Sequence, residues 1–197
     1  MDSFPVGKNA GDKKMRSFIA IDIDESLKNK IVDIQNNIGS KYLKIKFVEP
    51  ENLHFTLKFL GEIEEKNIED IYKILQKNLE NYKPFEIDLK GVGAFPSFSY
   101  IRVLWIGIQD ESNSLINIAD GLNIDLRKLG FKKEKKLIPH LTIGRVKFVK
   151  DKEKISQILK ELQNAKIGKM IVNRVLIKKS VLTPKGPIYS DLKEVKL

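Results

Sequence analysis

The chain of 197 residues is 42% apolar and 31% charged, a composition typical of a soluble globular protein with one well-buried core. It contains no cysteine, which excludes disulfides, thiolate nucleophiles and cysteine-based metal sites, and no apolar run approaches the roughly 20 residues that span a bilayer. The formal net charge of +10 suits an anionic partner such as nucleic acid, although a lysine-rich solvated surface gives the same value.

The first fourteen residues differ from the rest of the chain. They are rich in Gly, Lys and Asp, show no hydrophobic periodicity, and precede a second methionine, Met15. We therefore interpret residues 1–14 as the remnant of an expression tag. This end of the chain lacks the apolar stretch of a secretion signal, so a cytoplasmic protein is expected.

Hydrophobic periodicity predicts alternating strands and helices in the first half. Asp24 and the two residues after it can cap the first helix, and Gly39 ends it. Gly61 is predicted to end the strand that begins at His54. The predicted elements in chain order are a strand at 18–23, a helix up to 38, a short strand at 45–48, the strand of His54, an amphipathic helix at 64–80, a strand at 86–91 and a loop at 93–99.

The second half repeats this order at an offset of 86 residues. His140 follows His54 at that offset, and Asp110-Glu111-Ser112 repeats Asp24-Glu25-Ser26. The predicted elements are a strand at 102–108, a helix after 112, a basic connector at 127–136, the strand of His140, a helix at 151–166, a long strand at 169–182 and a last strand at 188–195. The repeat indicates an internal duplication, and two copies are expected to pack as two lobes about a pseudo-twofold axis.

Each copy contains a histidine followed two places later by a threonine, in His54-Phe55-Thr56 and His140-Leu141-Thr142. These are the only two histidines, and two of only three threonines, in the chain. Residues i and i+2 of a strand point to the same face, so each imidazole is expected beside a hydroxyl. Two such strands at a central cleft would provide acid–base groups and hydrogen-bond donors for chemistry on a phosphate.

Other readings of these residues are weaker. A single strand histidine is usually a satisfied core or surface residue, but the paired motif argues against that here. A metal site would need further carboxylate or cysteine ligands, and no metal-binding spacing accompanies the histidines. A Gly-x-Ser-x-Gly nucleophile turn is absent, and Gly91-Val92-Gly93 is too short for a dinucleotide-binding loop.

Several segments resemble the two-histidine phosphoesterases, and within them the RNA 2′,3′-cyclic phosphodiesterases (ThpR/LigT-like, formerly called 2′-5′ RNA ligases). The resemblance covers residues 15–197. The matching segments are Arg16-Ser17-Phe18-Ile19-Ala20, His54 to Gly61, Arg102-Val103-Leu104-Trp105, Pro139-His140-Leu141-Thr142 and Gly186-Pro187-Ile188-Tyr189.

This resemblance implies an α+β, bilobal fold in which two antiparallel sheets, flanked by helices, enclose a central cleft. It implies a single phosphoesterase domain at 15–197, whose lobes are not independent domains. It also implies that His54 is the proton donor and His140 the proton acceptor, with no metal and no cofactor. Thr56 and Thr142 can donate hydrogen bonds to the non-bridging phosphate oxygens.

Two basic residues are candidates for substrate binding. Arg145 lies five places after His140, so a straight strand would turn it away from the histidine, but Gly144 can permit a bulge that re-aims it. Lys58 is expected on the His54 face but two pleats away, either at the rim of the site or behind the groups that contact the substrate. Four aromatic residues could stack on a terminal base, although core packing suits most of them better. They are Phe47, Phe95, Phe98 and Tyr100.

The function predicted from these residues is metal-independent hydrolysis of RNA 2′,3′-cyclic phosphate ends to 2′-phosphates, with reverse 2′-5′ ligation as a further activity. The expected partner is RNA with such an end, for example a tRNA fragment, and a monomer without membrane association is expected. Two alternatives stay open: an RNA-end-binding module without turnover, and a two-histidine phosphodiesterase for another cyclic or 2′-5′ nucleotide.

Overall fold

The computed structural model describes residues 14–134, 136–184 and 186–197, and the elements below are those of these residues. The strands are β1 Lys14–Asp22, β2 Leu43–Phe47, β3 His54–Glu64, β4 Phe85–Ser97, β5 Tyr100–Gln109, β6 His140–Val149, β7 Lys166–Val172, β8 Arg174–Leu182 and β9 Pro187–Lys196. The helices are α1 Glu25–Ile38, α2 Ile68–Leu79, α3 Ser114–Asp125 and α4 Lys152–Leu162. Short 3₁₀ turns lie at Pro50–Asn52, Glu65–Asn67 and Leu126–Leu129.

The strands form two antiparallel sheets. One has the order β3-β1-β8-β9 and the other β2-β6-β5-β4-β7. Helices α2 and α3 pack on the four-stranded sheet, while α1 and α4 pack on the five-stranded sheet. Each helix buries an apolar stripe completely, as expected for an amphipathic helix on a sheet; Ile31, Leu75, Leu122 and Leu159 are examples. The predicted α+β fold with two antiparallel sheets is confirmed.

The sequence repeat does not coincide with the two sheets, because each copy gives strands to both. In the first copy β4, the strand after α2, pairs with β5 of the second copy. In the second copy β8, the second strand after α4, pairs with β1 of the first. The pairing of β4 with β5 follows from a tight hairpin, because only two residues separate these strands and antiparallel neighbours can be joined that closely. Each copy thus exchanges one strand with the other, β4 for β8. The order β3-β1-β8 thus matches β6-β5-β4.

Most predicted elements are present, and the helix ends have the expected chemistry. The Asp24 carboxylate accepts a hydrogen bond from the Ser26 amide, which caps α1, and Gly39 ends that helix with φ of +59°. Residues 1–13 lie outside the described part of the chain, so the tag remnant stays a prediction, but Lys14 already belongs to β1. In the described residues, no helix combines the length and the hydropathy needed to cross a bilayer.

Three predicted boundaries are wrong. Gly61 does not end β3, because its positive φ of +70° is accommodated at a bulge and the strand continues for three more residues. The predicted loop at 93–99 mostly belongs to β4, and Pro96 is tolerated there because β4 pairs with β7 only as far as Lys90. The predicted strand at 169–182 is two strands separated by Asn173, and they belong to different sheets.

Candidate active site

The two His-x-Thr motifs line one cleft of about 1280 Å³ between the sheets. His54 and Thr56 come from β3, and His140 and Thr142 come from the equivalent strand β6. All four side chains are half-buried, while the residues between and after them, such as Phe55, pack into the core. The alternation of a strand thus places both imidazoles and both hydroxyls at the cleft.

Both histidine rings are held by the same kind of hydrogen bond. The Nδ1 atom of His54 lies 2.7 Å from the carbonyl oxygen of Asn52, and Nδ1 of His140 lies 2.7 Å from that of Ile138. A carbonyl only accepts, so each Nδ1 carries hydrogen and donates, which leaves Nε2 as the nitrogen that can take up or release a proton. The two copies therefore prepare their histidines in the same way.

A β-bulge follows each motif threonine. Along β3, Thr56 pairs with Ala20 and Lys58 with Ile19, so Leu57 has no opposite residue. Along β6, Thr142 pairs with Trp105 and Gly144 with Leu104, so Ile143 has none. An extra residue of this kind re-aims the side chains beyond it.

The bulge in β6 turns Arg145 towards the histidines. The predicted bulge is present, and Arg145 lines the cleft with an exposed side chain. Gly144 allows the neighbouring strand to approach closely, because a Cβ atom at this position would lie only 2.5 Å from Cδ1 of Ile45. The role of Arg145 as a phosphate ligand stays a prediction.

The bulge in β3 has the opposite effect on Lys58. The expectation that Lys58 shares the His54 face is wrong, because the extra residue Leu57 reverses the alternation of the strand after Thr56. Lys58 is 1% exposed and is not among the cleft-lining residues described here. Its neighbour Phe59 lines the cleft instead.

The two histidines have different surroundings despite their matching backbone. The ring of His54 packs against Phe18 and Tyr189, with centroids 4.8 and 5.0 Å away. The carboxylate of Asp22 belongs to the residue directly across the ladder from His54, and both of its oxygens lie 2.8 Å from Nζ of Lys178. An ion-paired carboxylate therefore lies close to the first histidine.

His140 faces a glycine across the ladder and packs against two aromatic rings. Gly107 takes the place opposite His140 that Asp22 takes opposite His54. The rings of Phe95 and Trp105 lie 5.0 and 6.3 Å from the imidazole centroid, at steep angles. Both rings thus pack against aromatic residues, but an ion-paired carboxylate stands across the ladder from His54 and a glycine stands across from His140.

The family model of LigT-like phosphoesterases matches the chain twice, at residues 21–105 and at 106–189. The two matches correspond to the two copies of the repeat, and together they cover most of the sequence.

The chain belongs to the LigT-like phosphoesterases.

Relatives with this fold cover nearly the whole chain. The "RNA 2′,3′-cyclic phosphodiesterase" of Methanothermobacter thermautotrophicus is 42% identical over 93% of this chain and 100% of its own length. The protein of that name from Methanocaldococcus jannaschii is 43% identical over 91% of this chain and 99% of its own length. Among solved structures, TT0787 of Thermus thermophilus has a TM-score of 0.79 and 27% identity, covering 93% of this chain and 98% of its own.

Burial makes the first histidine of this LigT-like site more acidic than usual. Packing removes the His54 ring from water, and this lowers its pKa below the ordinary value. The hydrogen bond to Asn52 and the charge of Asp22 raise the pKa again, whereas Lys178 and Arg145 lower it further. Burial also raises the pKa of the Tyr189 hydroxyl. This direction favours the neutral imidazole of His54 in the free protein.

We expect the titration midpoint of His54 to lie below about 6.5, the usual histidine value. The unfolded chain then binds this proton more readily than the folded one, so the stability contributed by neutral His54 is complete above that value. It is lost as the pH falls through the lowered pKa. With two histidines in the chain, NMR titration of the imidazole Cε1–H signals measures this directly, and His140→Ala assigns them. A midpoint at or above 6.5 would contradict the expectation.

Three residues close to His54 were assigned no role from the sequence. Asp22, Lys178 and Tyr189 come from strands far apart in the chain, and no spacing links them to His54. Of the four aromatic candidates, Phe47 and Phe95 line the cleft, while the other two, on or beside the β4–β5 hairpin, are not among its lining residues.

Proposed function

We propose that the chain is a metal-independent phosphodiesterase that opens RNA 2′,3′-cyclic phosphate ends to 2′-phosphates. The observation that carries this proposal is the pairing of two histidines, each with Nδ1 on a backbone carbonyl, with two threonines in one cleft. The names of two relatives, at 42% and 43% identity, support the substrate class.

The reaction needs one base and one acid. Neutral His140 accepts a proton from water through Nε2, and the water oxygen bonds to phosphorus. The bond from phosphorus to O3′ breaks, and protonated His54 donates its Nε2 proton to that oxygen, which leaves a 2′-phosphate and a 3′-hydroxyl. Thr56 and Thr142 donate hydrogen bonds to the non-bridging oxygens, and Arg145 offsets their negative charge.

His54 has a lowered pKa in the free protein, yet a proton donor must carry its proton when the substrate is bound. The phosphodiester brings a negative charge into the cleft, and a nearby anion favours the charged imidazolium. His54 then takes up a proton from solvent as the substrate binds. The assignment of donor and acceptor rests on the family resemblance, since the backbone geometry treats both histidines alike.

The decisive experiment uses an oligonucleotide ending in a 2′,3′-cyclic phosphate. The expected product has gained one water and carries a 2′-phosphate, which mass spectrometry and ³¹P NMR identify. A 3′-phosphate product would overturn the regiochemistry. Tight binding of the intact cyclic end without any turnover would instead favour the end-binding module.

2′-5′ joining is part of the proposal, because it is the same displacement at phosphorus with a 5′-hydroxyl in place of water: the new P–O5′ bond forms as the P–O3′ bond breaks. A 5′-hydroxyl of a second RNA strand would take the place of water in the open cleft. High concentrations of a cyclic-ended strand and a 5′-hydroxyl strand should therefore give some 2′-5′-linked product, and none should form with His140→Ala.

Activity should survive removal of divalent ions. Within the described ranges, no three side chains of His, Cys, Asp or Glu come together in a cluster suited to a metal ion. Acid–base groups on the protein can supply the chemistry that a metal would otherwise provide. We expect unchanged turnover after prolonged EDTA treatment and desalting. Loss of activity that only an added divalent ion restores would contradict a mechanism built on the two histidines alone.

A cyclic-ended oligonucleotide should have a higher kcat/KM than 2′,3′-cyclic AMP at low salt. Lys132, Lys133 and Lys136 of the basic connector are exposed, and the last of these lines the cleft; Lys135 lies outside the described residues. If an RNA strand follows these charges, affinity falls with salt by a log–log slope of roughly −0.7 for each phosphate contacted. The advantage of the oligonucleotide should shrink as salt rises.

Charge neutralisation tests the same prediction. Changing Lys132, Lys133 and Lys136 to Gln should reduce the oligonucleotide rate and leave the mononucleotide rate nearly unchanged. The matched control changes three exposed lysines of α4, namely Lys152, Lys154 and Lys160, none of which is among the cleft-lining residues. Equal kcat/KM values for both substrates at every salt concentration would show that only the terminal nucleotide is recognised.

A further inference from the structure

The buried amine of Lys58 is a charged group that the proposed chemistry does not use. Its Nζ donates hydrogen bonds to Oδ1 of Asn123, 2.8 Å away, and to the carbonyl oxygen of Lys132, 2.7 Å away. The carboxylate of Glu134 lies 3.5 Å from the same atom. A charge removed from water needs partners of this kind, and two of the three belong to the basic connector.

Asn123 joins the same contacts from helix α3. Its Oδ1 accepts from Lys58 and also from the backbone amide of Glu134, which is 3.2 Å away. The side chain of Asn123 is 5% exposed. Lys58 and Asn123, here called the Lys58 bracket, thus tie strand β3 and helix α3 to residues 132–134.

The segment held by the Lys58 bracket forms one wall of the cleft. Between the 3₁₀ turn that ends at Leu129 and the start of β6, the described residues form no helix or strand. Glu134, Lys136 and Ile138 nevertheless line the cleft. Without a backbone ladder, the position of these residues depends on side-chain tethers, and the Lys58 bracket is one of them.

His140 itself is held by other bonds. The amide of Ile108 donates to the carbonyl oxygen of Pro139 at 3.3 Å, and His140 pairs with Gly107 across the ladder. Loss of the Lys58 bracket should therefore displace residues 132–134 more than Ile138, whose carbonyl oxygen holds the His140 ring, and more than the histidine itself.

We infer that Lys58 is a positioning residue that sets the preference of the enzyme for an RNA strand over a mononucleotide. This inference rests on the proposed function. The Lys58 bracket holds the backbone that carries Lys132, Lys133 and Lys136, so that their ammonium groups meet the phosphates of nucleotides upstream of the cyclic end. A mononucleotide lacks those phosphates and does not depend on the bracket.

The test removes the Lys58 bracket while leaving the three connector lysines unchanged. Lys58→Met keeps most of the buried stem but loses the donor, and Asn123→Leu loses the acceptor. Each should lower kcat/KM for a cyclic-ended oligonucleotide by about tenfold through KM, because a few phosphate contacts are lost, and should make its salt dependence shallower. The value for 2′,3′-cyclic AMP should stay close to that of the unchanged protein.

Two further variants separate positioning from general damage. Asn123→Asp keeps an oxygen that accepts from both Lys58 and Glu134, so it should retain the oligonucleotide preference. The double variant Lys58→Met with Asn123→Leu should be little worse than either single variant, because both remove one unit. A loss of stability alone would lower kcat/KM for both substrates by the same factor.

An unchanged ratio of the two kcat/KM values in Lys58→Met would overturn the inference, whether both values stay the same or both fall by the same factor. If the unchanged protein hydrolyses neither substrate, the proposed function fails instead. The inference is then decided by oligonucleotide affinity, measured by fluorescence anisotropy: weaker, less salt-dependent binding by Lys58→Met supports it, and equal binding overturns it.

Discussion

Replacing His54 or His140 with alanine is expected to lower turnover by about 10²–10⁴-fold, the usual contribution of a positioned proton-transfer group. Both rings line the cleft with Nδ1 fixed on a backbone carbonyl, so neither can substitute for the other from its own position. Single-turnover rates on a cyclic-ended oligonucleotide measure the effect, and circular dichroism checks that the variants remain folded.

The double variant and the pH profile test whether the histidines work as a unit. The combined loss should be far smaller than the product of the single losses, as found for residues that act together. Turnover should follow a bell-shaped pH profile whose apparent pKa values belong to the pair. A single alanine variant with nearly unchanged turnover would remove that histidine from the mechanism.

Replacing Thr56 or Thr142 with valine is expected to lower kcat by about 10²-fold, as removal of one donor to a developing oxyanion does elsewhere. Valine has the shape of threonine without the hydroxyl, and both side chains occupy half-buried positions at the cleft. The effect should appear mainly in kcat, because the hydrogen bond strengthens as negative charge grows on the phosphate oxygens.

Serine provides the matched control for these two positions. Thr56→Ser and Thr142→Ser keep the donor and should retain most of the activity, apart from the packing of one methyl group. Valine variants that match the serine variants in kcat would show that the hydroxyls do not contact the reacting phosphate.

The placement of both His-x-Thr pairs at one cleft could be predicted from the sequence, because it depends on local rules. Two residues of a strand at i and i+2 share a face, and the repeat supplied a second copy of that pair. The bulge at Gly144 was also predictable. A straight strand would turn Arg145 away from His140, and the glycine before it permits the bulge that brings it back. The bulge after Thr56 was not, because Lys58 follows the motif without any glycine to mark the extra residue.

The charged surroundings of the first histidine could not be predicted from the sequence. Asp22 and Lys178 are 156 residues apart in the chain. They meet only because β8, from the second copy of the repeat, pairs with β1 from the first. Asp191, which bonds to the same amine at 2.7 Å, arrives on β9. Periodicity reports which face of a strand is buried and carries no information about such distant partners.

The exchange of β4 and β8 bears on how a duplicated protein of this kind could arise. A polypeptide with only one copy would leave β1 without β8 and would present an unpaired strand edge to solvent. Two such half-length chains could close both sheets only by domain swapping, as an intertwined homodimer with two identical half-sites. Fusion of the halves into one gene removes the constraint of identity. The replacement of Asp22 by Gly107, and of Phe59 by Arg145, at equivalent positions is the divergence that such a fusion permits.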